Sequence, residues 1–185
     1  MICEVAAMEK TGLVIVHTGD GKGKTTAALG LALRAWGDGL RVLILQFIKG
    51  GWNYGELESI KKLSALGGRI QVRQCGLGFT QRKDGHEAEH KEAARRALLE
   101  AQEAIGSGAW DMVILDEINY AVKFGRVSEA EVMGLVDKRP GGLHLVLTGR
   151  DALPSLVERA DLVTEMRLVK HPYQKGIQAQ QGIEF

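Results

Sequence analysis

The sequence predicts an α/β fold in which helices cover both faces of a mostly parallel β-sheet, in a three-layer α/β/α arrangement. Short, continuously apolar runs alternate with segments of helical spacing along nearly the whole chain. A glycine-rich loop separates the first apolar run from the first helical segment, and a later apolar run ends in two adjacent acids. Parallel strands buried on both faces have this unbroken apolar pattern, and ligands bind at their carboxyl ends.

The N-terminal half supplies three strands and two helices. Four apolar residues directly before the glycine-rich loop predict the first strand at 13–16, and helical spacing after the loop predicts the first helix at 25–36. Apolar runs predict the second strand at 42–48 and the third at 70–75. The helical spacing of residues 56–66 places a helix between these two strands.

The C-terminal half continues the alternation. Helical spacing predicts a long helix over 86–105, and an apolar run predicts the next strand at 112–115. A helix at 128–136 precedes another apolar run, 143–147, which predicts the fifth strand. The last helix is predicted at 153–159. Several of the helical segments have glycine or proline at their ends, as helices usually do.

The two ends of the chain are less regular. Residues 162–168 are predicted as a sixth, edge-like strand, which leads to an irregular tail at 169–185. We expect a loose N-terminus over residues 1–11. Because no long polar or proline-rich stretch divides the sequence, residues 1–185 are predicted to form one domain.

Composition excludes several classes of function. The 185-residue chain has a formal net charge of +1, so bulk attraction to nucleic acid or to an acidic membrane surface is not expected. Its two cysteines imply no disulfide framework, and no stretch approaches the ~20 apolar residues that span a bilayer. We therefore expect a cytoplasmic protein without nucleic-acid or membrane partners.

A phosphate-binding loop is predicted at residues 18–26, directly before a helix, which makes the expected fold P-loop NTPase-like (RecA-like). Glycines let successive backbone N–H groups converge on an anion, Lys24 adds a mobile charge, and Thr25 offers a hydroxyl to Mg²⁺. Thr18 stands where the usual pattern has glycine. A glycine-rich turn alone also fits a flexible connection, but Lys24 and Thr25 favour nucleotide binding. The predicted nucleotide-binding residues are Gly19, Asp20, Gly21, Lys22, Gly23, Lys24, Thr25 and Thr26.

The acidic pair Asp116 and Glu117 follows the apolar run 112–115. In a phosphate-loop fold this strand end lies beside the loop, so Asp116 is expected to reach a Mg²⁺ held by Thr25, directly or through water. Glu117 is the second predicted ligand. Acids after a strand also occur as ordinary N-terminal charges of a helix, but the loop favours the metal interpretation.

One motif points to different chemistry. Residues 86–90 match the H-E-x-x-H pattern, in which His86 and His90 would share a helix face and bind zinc. The following residues supply no third ligand in a recognisable pattern, and the segment is strongly charged. We therefore expect two exposed histidines without a metal.

Further segments recur in a particular order after the loop. Together with residues 18–28 these are 46–50, Trp52, Gly55-Glu56, 78–80, 115–117, 147–150, 160–165, 170–173, 176–177 and 179–185. In order and spacing they resemble the phosphate-loop type of ATP:corrinoid adenosyltransferase, over most of the chain. The threonine at position 18 resembles that family's own form of the loop.

This resemblance implies transfer of the 5′-deoxyadenosyl group of ATP to a Co(I) corrinoid such as cobalamin, with triphosphate as leaving group. It implies catalytic roles for Lys24, Asp116 and Glu117, and it adds Arg150 to the nucleotide-binding residues. Lys22 and Lys24 suit neutralisation of the triphosphate, with Mg²⁺ as the cofactor. Relatives of this kind hold ATP in the opposite sense along the loop from kinases.

For the corrinoid, the resemblance implies a contact from Phe79, with Gln81 two residues on, and Trp52 and Tyr54 are the other predicted corrinoid-binding residues. Phe79 matches an aromatic residue that lies against the lower face of the ring and excludes an axial ligand, which eases reduction of Co(II). Gln81 stands where many relatives carry tryptophan. Phe79 is also consistent with an ordinary buried loop anchor, and the other two aromatic residues with simple loop packing.

The family resemblance also implies protein partners, and the motifs leave two alternative functions open. A homodimer is expected, and a reductase that delivers the electron is a further expected partner. Relatives often have a longer leader before the first strand, so cover of the site from that source is expected to be partial. A P-loop ATPase or kinase of unknown substrate is the alternative enzyme, and a non-catalytic nucleotide-binding module is the alternative without turnover.

Overall fold

A computed structural model of the chain describes residues 11–51, 53–78 and 85–184. Six short strands within these ranges form one sheet. They are β1 (Val14–Thr18), β2 (Val42–Gln46), β3 (Ile70–Gln74), β4 (Met112–Asp116), β5 (His144–Thr148) and β6 (Leu162–Glu165). Most of their residues are Val, Ile or Leu, whose side chains pack well on a pleated surface.

The strand order is β3-β2-β4-β5-β1-β6, and all pairings between these strands are parallel. The sheet predicted as mostly parallel is therefore parallel throughout its described strands. The loops that follow the strands all leave at the same edge. This carboxyl edge is where parallel α/β sheets bind ligands.

Helices pack on both faces, which confirms the predicted three layers. They are α1 (Lys24–Gly37), α2 (Gly55–Ala65), α3 (Glu87–Gly106), α4 (Ile118–Lys123), α5 (Glu129–Asp137) and α6 (Pro154–Arg159). One apolar core lies between the sheet and α1 with α2, and the other between the sheet and α3 to α6. Among the described residues, no helix is long and apolar enough to cross a membrane.

Every predicted strand and helix is present, and the helix bounds agree within one residue. Three strands are shorter than predicted, β3 by one residue and β2 and β6 by two or three. β2 ends at Gln46, because the chain then bends so that the Ile48 carbonyl accepts a hydrogen bond from Gly78. β6 ends at Glu165, because the next residue, Met166, contacts the glycine-rich loop.

The sequence did not predict two short elements. α4 has six residues, too few for a periodic pattern, yet its Ile118 and Ala121 are fully buried in the second core. A 3-10 helix, Pro172–Lys175, interrupts the tail that was expected to be irregular. The His171 side chain and the Gln174 side chain cap its first turn reciprocally.

Candidate active site

The loop between β1 and α1 turns sharply at the carboxyl edge of the sheet. Its backbone has positive φ at Gly19 (90°) and Gly23 (112°), where an L side chain would be strained. A Cβ atom at Gly21 would lie 2.7 Å from the carbonyl oxygen of Met166, so the loop packs directly on the chain after β6. α1 begins at Lys24, and the N-terminus of this helix favours an anion.

The Lys24 side chain folds back over this loop and is only 7% exposed. Its Nζ donates hydrogen bonds to the carbonyl oxygens of Gly19 (2.7 Å) and Gly21 (2.6 Å). Burial lowers the pKa of Lys24, and the Glu117 carboxylate opposes that shift. An anionic phosphate oxygen is a stronger partner for an ammonium than a neutral carbonyl, so Lys24 is poised to bind phosphate.

Three buried polar side chains meet beneath the first turn of α1. Gln46 and Asp116 are register partners at the ends of β2 and β4, and Thr148 ends the neighbouring β5. Because side chains alternate along a strand, all three lie on the face that α1 covers. The sheet therefore brings polar groups from three strands to the helix N-terminus.

Asp116 is the centre of this group and is 1% exposed. Its Oδ1 accepts hydrogen bonds from the hydroxyls of Thr25 (2.8 Å) and Thr148 (2.9 Å), and its Oδ2 accepts one from the Gln46 amide (3.3 Å). The predicted proximity of Thr25 and Asp116 is thus present in the structure. Their oxygens are the donor type that Mg²⁺ prefers.

Glu117 occupies an unusual backbone position at the start of α4. Its φ is 63°, a left-handed conformation that non-glycine residues rarely adopt, and its N–H donates to the Thr148 hydroxyl (2.9 Å). Burial and then the Asp116 charge raise the pKa of Glu117 to about 7. Its buried Oε2 has no hydrogen-bond partner among the described residues. Backbone strain and an unsatisfied buried oxygen are both typical of functional sites.

Lys49 lies in the loop that follows β2, the strand next to β4, and contacts Asp116 from there. Its side chain is 11% exposed, and its Nζ lies 3.6 Å from Oδ2 of Asp116 and 3.4 Å from Oε1 of Glu56. The same ammonium lies 4.7 Å from the ring centroid of Tyr54, which directly precedes α2. This geometry is a cation–π contact.

A cavity of about 720 Å³ lies beside these groups. Its lining comprises residues 20–26 of the loop, Lys49, Glu56, Glu117, Tyr120, Arg150 and residues of the C-terminal tail. A cavity of this size matches a small-molecule site. Most of the predicted nucleotide-binding residues therefore face one space.

The C-terminal tail closes one side of the cavity. The Lys22 ammonium donates to the Ile183 carbonyl (2.7 Å) and pairs with the Glu184 carboxylate. The backbone N–H of Gly21 donates to the Met166 carbonyl (2.6 Å), so this N–H group of the loop is already used within the chain. The tail thus engages the same loop that is predicted to bind phosphate.

Arg150 reaches the cavity from the turn after β5. Gly149 has a φ of 130°, and a Cβ atom there would lie 2.8 Å from Cβ of Asn119. The Asn119 amide donates to the Gly149 carbonyl (3.1 Å). This close approach fixes the turn that carries Arg150, a position assigned from family resemblance.

Three of the four predicted corrinoid-binding residues, Trp52, Phe79 and Gln81, lie outside the described residues. The backbone before residue 79 is nevertheless defined. Gly50 and Gly76 pack backbone against backbone. A Cβ atom at Gly50 would lie 1.8 Å from the Gly76 carbonyl oxygen, so no side chain fits between them. The loops after β2 and β3 are therefore held together.

The two histidines of the zinc motif differ in burial, although both were expected to be exposed. His86 is exposed and contacts Glu89 at 3.2 Å, but His90 is 3% exposed and lies within the buried face of α3. The expectation was wrong for His90, because neighbouring alanines turn this side of the helix toward the core. In the part of the chain that the structure describes, no group of three or more His, Cys, Asp or Glu residues is arranged to hold a metal.

Several residues of the site carry no local motif. In the sequence, Gln46, Lys49 and Thr148 stand out only as parts of the segments that carry the family resemblance. The available signal was a polar residue at the end of an apolar strand, on the same alternating face as Asp116. The tail residues Ile183 and Glu184 gave no such signal, since their contact with Lys22 spans most of the chain.

Comparison with known proteins identifies relatives of this chain. A model of the family described as ATP:corrinoid adenosyltransferase BtuR/CobO/CobP matches residues 10–185. A corrinoid adenosyltransferase of Sinorhizobium sp. is 44% identical over 178 residues, covering 96% of this chain and 82% of the relative. The corrinoid adenosyltransferase of Escherichia coli K12 is 36% identical over 179 residues, covering 97% and 88% respectively.

A solved structure supports the fold alone. The flagellar accessory protein FlaH of Methanocaldococcus jannaschii superimposes with a TM-score of 0.55 at 14% sequence identity. The match covers 84% of this chain and 71% of FlaH. This P-loop NTPase-like architecture agrees with the fold predicted from the sequence.

Proposed function

Because the chain belongs to the ATP:corrinoid adenosyltransferase BtuR/CobO/CobP family, we propose that it transfers the 5′-deoxyadenosyl group of ATP to a Co(I) corrinoid and releases triphosphate. The observation that carries the site assignment is the hydrogen bond between Thr25 and Asp116. It joins the predicted phosphate loop to the acid-bearing strand end at one cavity. A P-loop ATPase or kinase is not favoured, because the family match extends over residues 10–185.

The transfer is an attack on carbon rather than on phosphorus. The electron pair of Co(I) forms the bond to C5′ of ATP while the C5′–O bond breaks, and cobalt becomes formally Co(III). The electron pair of the broken bond leaves on the triphosphate. Since Co(I) is a strong nucleophile, the protein supplies no base; it places C5′ in line and stabilises the growing charge on the leaving group.

Basic side chains around the cavity suit the stabilising task. Lys24 is buried over the loop, and Arg150 and Lys22 line the same cavity. Positive charges held in a partly desolvated site stabilise an anionic leaving group more strongly than charges in water. We assign the triphosphate to these residues and to the N-terminus of α1.

Thr25, Asp116 and Glu117 suit a Mg²⁺ ion, because all three offer oxygen donors. The unsatisfied buried Oε2 of Glu117, considered among the described residues, supports a ligand at this place. Asp116, whose Oδ1 accepts hydrogen bonds from two hydroxyls, would hold the ion directly or through water. When bound, Mg²⁺ neutralises part of the triphosphate charge.

The remaining parts of the proposal concern the corrinoid and the assembly. Phe79 and Gln81 are proposed to contact the corrin ring on the family resemblance, and Trp52 and Tyr54 are proposed as further ring contacts. We also propose that residues 1–185 form a single nucleotide-binding domain and that the protein is a cytoplasmic homodimer. A reductase is proposed to deliver the electron that reduces the corrinoid.

The decisive experiment incubates the protein with MgATP and chemically reduced cobalamin. We expect adenosylcobalamin and triphosphate in equal amounts, detected by absorbance and by ³¹P nuclear magnetic resonance. ADP and phosphate as products would instead identify an ATPase or kinase. Binding of ATP without any product would identify a non-catalytic module.

A variant pair links this activity to the cavity. Lys24→Ala removes the buried ammonium and should lower kcat about 100-fold or more, while circular dichroism and the unfolding midpoint stay near those of the parent protein. Lys62→Ala is the matched control, because Lys62 is exposed on α2 and pairs only with Glu58 in the described contacts. Near-normal turnover in Lys24→Ala would contradict the site assignment.

A further inference from the structure

Lys49 is the cation of the cavity whose role no sequence motif explains. Its side chain is almost as buried as that of Lys24, at 11% exposure. It lies in the loop after β2 and contacts Asp116 at the end of the neighbouring β4. Burying an ammonium is unfavourable unless charged or polar partners compensate, so this position requires a physical reason.

The partners of Lys49 in the described structure belong to the site itself. They are Oδ2 of Asp116 at 3.6 Å, Oε1 of Glu56 at 3.4 Å and the ring of Tyr54 at 4.7 Å. Both acidic contacts are longer than a good charged hydrogen bond, which is typically ~2.7–2.9 Å. The ammonium is thus held between two carboxylates without close pairing to either.

Lys49 shares the cavity wall with three other basic side chains. Lys24, Lys22 and Arg150 line the same cavity as Lys49, from the loop and from the turn after β5. A triphosphate that enters between them is multiply charged, and it would offer Lys49 closer oxygen partners than the two carboxylates do. The flexible lysine stem allows that movement.

We propose that Lys49 is a further triphosphate-binding residue of the adenosyl transfer: its ammonium leaves Asp116 and Glu56 and binds an oxygen of the triphosphate chain. The inference rests on the proposed function. As the C5′–O bond breaks and its electron pair moves onto the triphosphate, Lys49 stabilises the charge that develops there. No proton transfer by Lys49 is involved, because the leaving group departs as the anion.

A competing explanation is purely structural. Lys49 would then only balance the charges of Asp116 and Glu56. Its loss would weaken phosphate binding only because the two unbalanced carboxylates repel the anion. The two explanations differ for the double variant Lys49→Met/Glu56→Gln. Restored charge balance rescues phosphate binding if Lys49 is only a counter-ion, whereas a missing phosphate ligand is not restored.

The test measures binding of inorganic tripolyphosphate by calorimetry, with a chelator present so that no metal contributes. Lys49→Met, which keeps the aliphatic stem, should weaken binding at least tenfold, as loss of a charged hydrogen bond does. The double variant should bind tripolyphosphate as weakly as Lys49→Met does. In Lys49→Met, kcat for adenosyl transfer should also fall about 100-fold. Lys62→Met, an exposed lysine on the adjoining α2, is the control and should match the parent protein.

Two results would overturn the proposal: unchanged tripolyphosphate affinity in Lys49→Met, or recovery of affinity in the double variant. If Lys49→Met does not fold, Lys49→Gln, which keeps a donor toward Asp116, replaces it in each measurement with the same expectations. Failure of the proposed function is distinguishable, because the parent protein would then bind tripolyphosphate through Lys49 yet form no adenosylated corrinoid.

Discussion

The hydroxyl of Thr25 donates a 2.8 Å hydrogen bond to Oδ1 of Asp116, across 91 positions of sequence. This contact joins the first turn of α1 to the end of β4. The strand before the loop of Thr25 is β1, and Asp116 ends β4. These two strands are not neighbours, because β5 lies between them. β5 contributes Thr148, whose hydroxyl donates to the same carboxylate. The site is therefore assembled by the sheet order as much as by the loop.

The first prediction concerns Mg²⁺. Asp116→Asn removes the carboxylate charge and places an amide near the Gln46 amide, so we expect a higher Mg²⁺ concentration for half-maximal activity. Asp111→Asn is the control, because Asp111 pairs with Arg41 just before the same strand begins. Titrating activity with Mg²⁺ checks this, and full activity of the parent protein in a strong chelator would contradict a role for the metal.

The second prediction concerns pH and Glu117 in the metal-free protein. Its pKa rises from the ordinary 4.5 to about 7 in the folded state. Between these values the folded protein keeps a proton that the unfolded chain has lost, so the free energy of unfolding falls as pH rises through this window. Glu117→Gln lacks this loss, and its stability relative to the parent should increase by roughly 2–3 kcal/mol between about pH 4.5 and 8.

Urea unfolding in the presence of a chelator measures this difference. Glu131 provides a control of opposite sign, because hydrogen bonds from Ser128 lower its pKa. Its stabilising contribution is present above the unfolded pKa and is lost as pH falls, so Glu131→Gln should not gain stability at high pH. A stability difference for Glu117→Gln that does not change with pH would refute the assignment of a buried, protonated carboxyl.

The third prediction concerns the tail. Glu184 pairs with Lys22 and brings a negative charge to the loop that is proposed to bind phosphate. Glu184→Gln should free Lys22 and tighten tripolyphosphate binding several-fold, a modest effect because exposed ion pairs contribute ~0.2–1 kcal/mol. Calorimetry gives the affinity, and Glu58→Gln on α2 is the control. Weaker binding in Glu184→Gln would mean that the tail holds the ligand instead of competing with it.

Much of the fold could be predicted because each element has a local cause. The buried strands are continuously apolar, and their helices repeat apolar residues at helical spacing, so hydrophobic burial alone distinguishes them. The loop around Lys24 and the acids at the end of β4 were equally legible. Their residue types and positions relative to strand and helix match the motifs that bind phosphate and metal in other proteins.

What could not be predicted depends on contacts distant in sequence. Lys49 has no motif, and its contact with Asp116 forms only because β2 and β4 pair. The engagement of Lys22 by the tail and the burial of His90 likewise follow from tertiary packing. Charge patterning suggested a solvated helix around residue 90, but the apolar stripe of α3 decides which side faces the core.

The last prediction tests the corrinoid half of the proposal. Phe79→Ala should leave ATP affinity unchanged, because the residues proposed to bind the triphosphate, among them Lys24, Lys49 and Arg150, lie elsewhere in the chain. If Phe79 shields the lower face of cobalt, the variant should slow adenosylation most when Co(II) must be reduced on the protein, and less when free Co(I) is supplied, since exclusion of the axial ligand eases only the reduction. Gln81→Trp should enlarge the four-coordinate Co(II) signal seen by absorbance or paramagnetic resonance with ATP bound. An unchanged signal in both variants would show that these residues do not touch the ring, and Trp52 and Tyr54 would become the candidates.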